Sequence, residues 1–282
     1  MQGGTDIADP QSALTVLNPV RTHVTLLKSD AAEGMLSLAA DEAVPVHARL
    51  STLDGLSVAQ NYFATTFGVG VQRPVRIDLR AYHPDDVDFG GFTANHHIVI
   101  YASSQRGVPV SDYYLRRAAI HELFHVLQQE LSGGADRVIG SNWLVEGGAR
   151  LIEDIASVQS VPIQSAPYQD TYFGCALLNE EAQARRPLPP LSAMHYYGPV
   201  EEGGNAGYAL AALGAKRAIG ARGPAALGVY YGELAHGDWR AAFVRAFGVE
   251  PEAFYKDFAR ARANDWPIAL ADCNTERDDD ED

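Results

Sequence analysis

Two histidines and a glutamate occur at a spacing that suits a metal site, in the sequence His121-Glu122-Leu123-Phe124-His125. On an α-helix, residues i and i+4 lie on one face about one turn apart, so both imidazoles can bind the same ion. Such a site needs a third protein ligand and an open position for water, and Glu122 is placed to take a proton from that water. The pattern predicts that His121 and His125 bind zinc and that Glu122 is a general base.

The helix that must position these residues is the strongest helical pattern in the chain. Ser111 and Asp112 are good N-cap residues, and Gly133-Gly134 ends the run. Between them an apolar stripe at helical spacing must face a core; it consists of Ile120, Leu123, Phe124, Leu127 and Leu131.

A second motif, Asn142-Trp143-Leu144-Val145-Glu146-Gly147-Gly148-Ala149, follows after a short interval. HExxH and then WLxEGxA resemble the gluzincin clan of zinc metallopeptidases, and most closely its bacterial peptidase MA-like proteins, related to thermolysin and the M1 aminopeptidases. The resemblance implies one zinc ion with Glu146 as its third protein ligand. We expect Gly147-Gly148, which lack side chains, to let the Glu146 helix approach the HExxH helix closely.

The resemblance covers roughly residues 75–265 and leaves residues 1–70 outside it. Two further segments, Phe243–Gly248 and Pro251–Tyr255, are similar to a common ending of these proteins. The segment Phe92–Ala102 resembles the strand beside the active-site helix that, in the clan, pairs with an extended peptide. These segments are less specific than the two metal motifs.

The resemblance also implies a hydrogen-bond donor to the oxyanion formed in the reaction. Tyr208 fits the position of such a tyrosine, and His195 is the alternative, as a histidine has this role in thermolysin-like members. Glu153 or Asp154 is a candidate hydrogen-bond partner of a zinc-binding histidine. Arg150 departs from the thermolysin pattern, which has an aspartate there, and this counts against a strict thermolysin assignment.

Local patterns predict an α+β fold that is zincin-like: a small mixed sheet and the active-site helix, followed by a helical C-terminal subdomain. The predicted strands are Thr22–Lys28, Val75–Tyr82 and His97–Ala102. The predicted helices, besides the two that carry the motifs, are Ala31–Ala43, Leu53–Phe67, Ala206–Ile219, Gly223–Leu234, Asp238–Phe247 and Glu252–Ala263.

We expect one catalytic unit in two parts with a cleft between them. Residues 1–135 form the α/β part with the HExxH helix, and residues 136–270 form the helical part with Glu146. Residues 271–282 form an acidic tail, whose terminal charges Asp278–Asp282 are typical of a solvated, disordered end.

Composition limits the partners of this protein. The net charge is −14, so the chain lacks the excess of positive charge that nucleic-acid binding needs.

No apolar run is long enough to cross a membrane. The first residues have no signal-peptide pattern, so we expect either a cytoplasmic protein or, slightly favoured, an exported one whose leader has been removed. Cys175 and Cys273 fit a disulfide in an exported protein or two unrelated thiols.

The sequence therefore predicts a zinc-dependent peptidase that hydrolyses peptide bonds of a peptide or protein substrate with a zinc-activated water and Glu122 as the base. Two alternatives remain: a non-catalytic protein that retains zinc, and a zinc hydrolase of a non-peptide amide. The intact Glu122 argues against the first, because a structural site needs no base beside an open position. Cleavage specificity and oligomeric state are not set by the sequence.

Overall fold

The computed structural model describes residues 21–26, 36–81, 90–103, 109–159 and 166–278. Contacts divide the chain into two compact units, the first from Met1–Ser57 and Val71–Leu123 and the second from Val58–Gly70 and Phe124–Asp282. All strands of the described residues precede residue 102, and the described elements after residue 111 are helical. The fold is therefore mixed α+β and mostly helical, as the sequence predicts.

The first unit contains a five-stranded mixed sheet in the order β1-β2-β3-β5-β4. The two inner pairings, β2 with β3 and β3 with β5, are parallel, and the two outer pairings are antiparallel. Parallel strands tend to be buried on both faces, and Ile77, Leu79 and Ile98 of the central strands are fully buried. The strands are β1 (Arg21–Leu26), β2 (Leu36–Asp41), β3 (Val75–Arg80), β4 (Gly91–Ala94) and β5 (His97–Tyr101).

Local patterns did not predict strand β4, although the segment Phe92–Ala102, which resembles a strand of the clan, overlaps it. Strand β4 forms a hairpin with β5. The two turn residues, Asn95 and His96, have φ angles of 49° and 61°. Two-residue hairpin turns favour positive φ at both positions because that twist matches the twist of the strands. The hairpin places β4 at the end of the sheet, with β5 on one side.

The predicted helix Ala31–Ala43 is wrong over its described part, because Leu36–Asp41 is strand β2. Leucine and alanine favour helices locally. Here Leu36, Leu38 and Ala40 are buried, and the strand pairs with β1 and β3. Non-local pairing and burial outweigh the local preference.

Two long helices each begin in residues of the first unit and end in residues of the second: α1 (Val46–Phe67) and α2 (Asp112–Ser132). The predicted bounds of α2 are confirmed. At its start Ser111 Oγ accepts a hydrogen bond from the Tyr114 amide at 3.2 Å, as an N-cap does. At its end Gly133 and Gly134 have φ angles of 63° and 86°, which end the helix without steric strain.

The second unit is helical over its described residues, and four predicted helices are confirmed within a few residues. The structure adds three helices that were not predicted, α4 (Ala166–Ala182), α5 (Pro199–Glu202) and α10 (Trp266–Asp278). A disulfide joins Cys175 of α4 to Cys273 of α10. The helices are α3 (Asn142–Gln159), α4 (Ala166–Ala182), α5 (Pro199–Glu202), α6 (Gly204–Ile219), α7 (Ala225–Leu234), α8 (Trp239–Phe247), α9 (Pro251–Asn264) and α10 (Trp266–Asp278). Helix α10 includes most of the segment predicted as an acidic tail; residues 279–282 lie outside the described residues.

Helices long and apolar enough to cross a membrane are absent from the described part of the chain.

Candidate metal centre

His121, His125 and Glu146 lie together. One ligand atom of each, an imidazole nitrogen or a carboxylate oxygen, lies within 4.8 Å of the others. The side chains of His125 and Glu146 are buried, whereas His121 is half-buried. His125 Nε2 lies 3.3 Å from Glu146 Oε2.

This donor set fits zinc. Two imidazoles and one carboxylate form a common zinc ligand set in hydrolases that leave a position open. Ligand atoms about 2 Å from a tetrahedral ion lie about 3.3 Å apart, and the separation of His125 Nε2 from Glu146 Oε2 is 3.3 Å. The same two atoms would form an ion pair if His125 were protonated, so the metal content of the protein decides between the two.

Glu146 is placed by an anchored helix start. The first two amides of α3, those of Asn142 and Trp143, donate to the carbonyls of His195 and Met194 at 2.8 and 3.0 Å. These bonds satisfy donors that a helix cannot pair by itself. The Trp143 ring is buried, stacks on Phe254, and donates from Nε1 to a tyrosine hydroxyl. The start of α3 is thereby fixed in the second unit.

The two glycines after Glu146 have different nearest neighbours. A Cβ on Gly147 would lie 2.2 Å from the Ala211 carbonyl oxygen, so this glycine permits close contact with α6. A Cβ on Gly148 would lie 2.9 Å from the Tyr231 hydroxyl and 3.6 Å from Gln128 Nε2. Gly148 therefore borders a side chain of the HExxH helix, whereas the nearest atoms to Gly147 belong to the backbone of α6.

Glu122 is buried and is held by strand β4. The Thr93 hydroxyl, also buried, lies 2.6 Å from Glu122 Oε2 and 3.0 Å from the Glu122 carbonyl oxygen. A Cβ on Gly91 would lie 2.8 Å from Glu122 Oε1. The carboxylate thus has a fixed donor on one oxygen, and its other oxygen occupies space that a larger residue at position 91 would fill.

The ring of His125 has a partner that the sequence did not indicate. His125 Nδ1 lies 2.7 Å from Gln128 Oε1. The Gln128 amide nitrogen donates to the Val145 carbonyl and to the Tyr231 hydroxyl, each at 2.9 Å. Gln128 lies three residues after His125, on the same helix face, and that spacing is the one sequence feature that would have pointed to it.

Glu153 and Asp154 are the two candidate hydrogen-bond partners of a zinc-binding histidine. Both lie beside Arg150. The closest approaches of the guanidinium are 4.0 Å to Glu153 and 3.6 Å to Asp154. Arg150 also donates to Glu180 at 3.1 Å. Arg150, which departs from the thermolysin pattern, therefore compensates the negative charge of the buried carboxylates Glu153 and Asp154. A contact of Glu153 or Asp154 with a zinc-binding histidine stays a prediction.

The two candidate oxyanion donors lie on separate elements of the second unit. Tyr208 is in the first half of α6 and is half-buried. His195 precedes α5, is half-buried, and its Nδ1 lies 3.0 Å from Ser141 Oγ. Burial, and to a lesser degree the charge of Arg240, lower the pKa of His195 below its ordinary value. A neutral imidazole is thus favoured at this position.

No protein-family model matches the chain, and no curated protein sequence matches it. Among solved structures, an aminopeptidase N family protein from Idiomarina loihiensis has a similar fold, with a TM-score of 0.57 and 15% sequence identity. The match covers 86% of this chain and 46% of that protein, so the chain spans less than half of that protein's length. An identity this low shows similarity of fold alone.

Proposed function

We propose that this protein is a zinc-dependent peptidase of the gluzincin type, with a zincin-like catalytic fold. The observation that carries the proposal is the meeting of His121, His125 and Glu146 within 4.8 Å. These residues come from two separate sequence motifs. The fold similarity to an aminopeptidase N family protein supports the same reading.

The residues of the chain have distinct roles in this proposal. His121 and His125 bind the metal through imidazole nitrogens, and Glu146 binds it through a carboxylate oxygen. A zinc ion in such a site lowers the pKa of a coordinated water to about 7 and polarises a carbonyl group. Glu122 accepts the proton of the attacking water and passes it to the leaving amine.

Strand β4 supplies two further functions. Thr93 holds one oxygen of Glu122 at 2.6 Å, so the carboxylate needs little reorientation to act as a base. The strand ends the sheet order, and an edge strand offers backbone groups to an extended peptide. We therefore place the substrate backbone along β4, in line with the resemblance of Phe92–Ala102 to the peptide-pairing strand of the clan.

The proposal is tested with Glu122→Gln. This variant keeps all proposed zinc ligands and loses the base, so we expect unchanged zinc content and a loss of hydrolysis of about 100- to 10,000-fold. Glu130→Gln, the same substitution on the same helix, is the control and retains activity. The assay uses denatured protein substrates with and without a chelator, and sequencing of new N-termini maps the cleavage sites.

Two results would contradict the proposal. An active Glu122→Gln protein would remove Glu122 from the mechanism. A zinc-loaded wild type that cleaves no denatured protein and no free or N-blocked peptide would favour a non-catalytic zinc protein or a hydrolase of another amide.

A further inference from the structure

The buried amide of Gln128 is a feature that the proposed reaction does not itself require. Gln128 is fully buried on α2, one turn after His125. A buried amide without hydrogen bonds is costly, so its partners show what it does. It forms hydrogen bonds with His125, Val145 and Tyr231, with donor–acceptor distances of 2.7 to 2.9 Å.

These partners fix which end of the amide faces His125. A backbone carbonyl can only accept, so the Gln128 atom 2.9 Å from the Val145 oxygen must be the nitrogen. The other end, 2.7 Å from His125 Nδ1, is therefore the oxygen. An amide oxygen can only accept, so His125 Nδ1 must carry a hydrogen.

Tyr231 reinforces this orientation. Its hydroxyl lies 2.9 Å from the Leu144 carbonyl, to which it must donate, so it accepts from Gln128. Burial raises the pKa of Tyr231 well above its ordinary value, which keeps the hydroxyl protonated. Gly148 makes room for this hydroxyl, because a Cβ there would lie 2.9 Å away.

We infer that Gln128 is a positioning residue that holds His125 in the tautomer with hydrogen on Nδ1, and that Tyr231 and the carbonyls of Leu144 and Val145 hold Gln128. In that tautomer His125 Nε2 carries a lone pair in place of a hydrogen, and this atom lies 3.3 Å from Glu146 Oε2. The two carbonyls directly precede Glu146, so the network connects two proposed ligands. The use of this tautomer for zinc binding rests on the proposed function.

The tautomer is measured first, in zinc-free wild type. Imidazole ¹⁵N shifts, assigned with a His125→Gln variant and recorded at a pH where the ring is neutral, should show the hydrogen on Nδ1. Hydrogen on Nε2 would overturn the inference. This measurement needs neither activity nor metal, so its outcome is independent of whether the protein is a peptidase.

Zinc affinity is measured next by chelator competition. Gln128→Met removes the acceptor at similar side-chain length and should weaken zinc binding by about 10- to 100-fold. Gln129→Met, the same substitution one residue later, should bind zinc as wild type does. Gln128→Glu keeps an acceptor for Nδ1 but loses the donor to the Val145 carbonyl, so it should recover part of the affinity that Gln128→Met loses. Tyr231→Phe keeps the Val145 contact and should lose less than Gln128→Met.

The outcomes separate the two hypotheses. If wild type binds no zinc but has the Nδ1–H tautomer, the proposed function fails and the positioning role of Gln128 stands. If Gln128→Met binds zinc as tightly as Gln129→Met, the positioning role fails and the proposed function stands. Should Gln128→Met not fold, the wild-type tautomer and the order of affinities of Gln128→Glu and Tyr231→Phe decide.

Discussion

The Thr93 hydroxyl lies 2.6 Å from Glu122 Oε2, so a side chain of the edge strand holds the proposed base in place. Thr93→Val keeps the shape of the side chain and removes this donor. We expect kcat/KM to fall by about 10- to 100-fold, because small displacements of a catalytic group have effects of this size. Zinc content should not change, since Thr93 contacts the base and not a proposed ligand.

Thr52→Val is the matched control for the loss of a buried threonine hydroxyl. Thr52 is fully buried on α1 and donates to the Ala48 carbonyl at 2.9 Å. The Thr52→Val variant should have a lower free energy of unfolding than wild type, and its folded form should keep wild-type activity. Equal activity losses in the two variants would mean that Thr93 acts only through stability.

How far the fold follows from local sequence is clear from α2 and β2. The bounds of α2 were predicted because its caps, Ser111 and Gly133, are local features. Leu36–Asp41 was predicted as part of a helix because its partner strand, Val75–Arg80, is distant in the chain. A preference that arises from pairing with a remote strand is not visible in a short window.

In the candidate site, too, some residues were predicted from the sequence and others were missed. His121 and His125 follow from motif spacing and Glu146 from the resemblance to the gluzincin clan, and the structure brings the three together. Gln128 and Thr93 were missed because a glutamine in a helix and a threonine in a strand have no unusual sequence signature. Their importance comes from partners: Tyr231 is 103 residues from Gln128, and Glu122 is 29 residues from Thr93.

Metal content tests the ligands directly. Wild type should bind one zinc per chain, and His125→Ala should bind little. Zinc at about 100 times its dissociation constant should stabilise wild type by about 2.7 kcal/mol and leave His125→Ala unchanged. The exposed His236 provides the control, since His236→Ala should bind zinc normally. Equal zinc in wild type and His125→Ala, or none in either, contradicts the assignment.

Reduction of the disulfide should destabilise the second unit. Cys175 and Cys273 are 98 residues apart, and a bridge across so long a segment restricts the unfolded chain strongly. We expect reductant to lower the free energy of unfolding by about 2–4 kcal/mol. The double variant Cys175→Ser, Cys273→Ser should unfold like the reduced wild type and not respond to reductant.

His195 should make stability depend on pH. Burial lowers its pKa below the ordinary 6.5, so between the two values the unfolded chain binds more protons than the folded chain. The free energy of unfolding therefore falls as the pH drops from 6.5 through this window. His195→Gln should flatten this part of the profile from denaturant titrations, whereas His236→Gln should not. An unchanged slope in His195→Gln would show that other groups cause it.

Tyr208 is the proposed oxyanion donor, and its hydroxyl is tested with Tyr208→Phe. Loss of an oxyanion donor lowers turnover by about 100- to 1,000-fold, with little change in KM or in the melting temperature. Tyr255→Phe is the contrasting variant, because the Tyr255 hydroxyl accepts from Trp143 Nε1 at 3.1 Å. Removing that hydroxyl should lower the melting temperature and leave kcat of the folded protein unchanged.

The kinetics of Tyr208→Phe also decide between the two candidate donors. A tyrosine that only packs in α6 keeps its ring in the variant, so turnover would stay within about threefold of wild type, far from the loss of a donor. The role would then pass to His195, whose lowered pKa favours a neutral imidazole with one N–H to donate. His195→Ala should in that case lower kcat while zinc content stays at one ion per chain. If both variants retain kcat, neither residue is the donor.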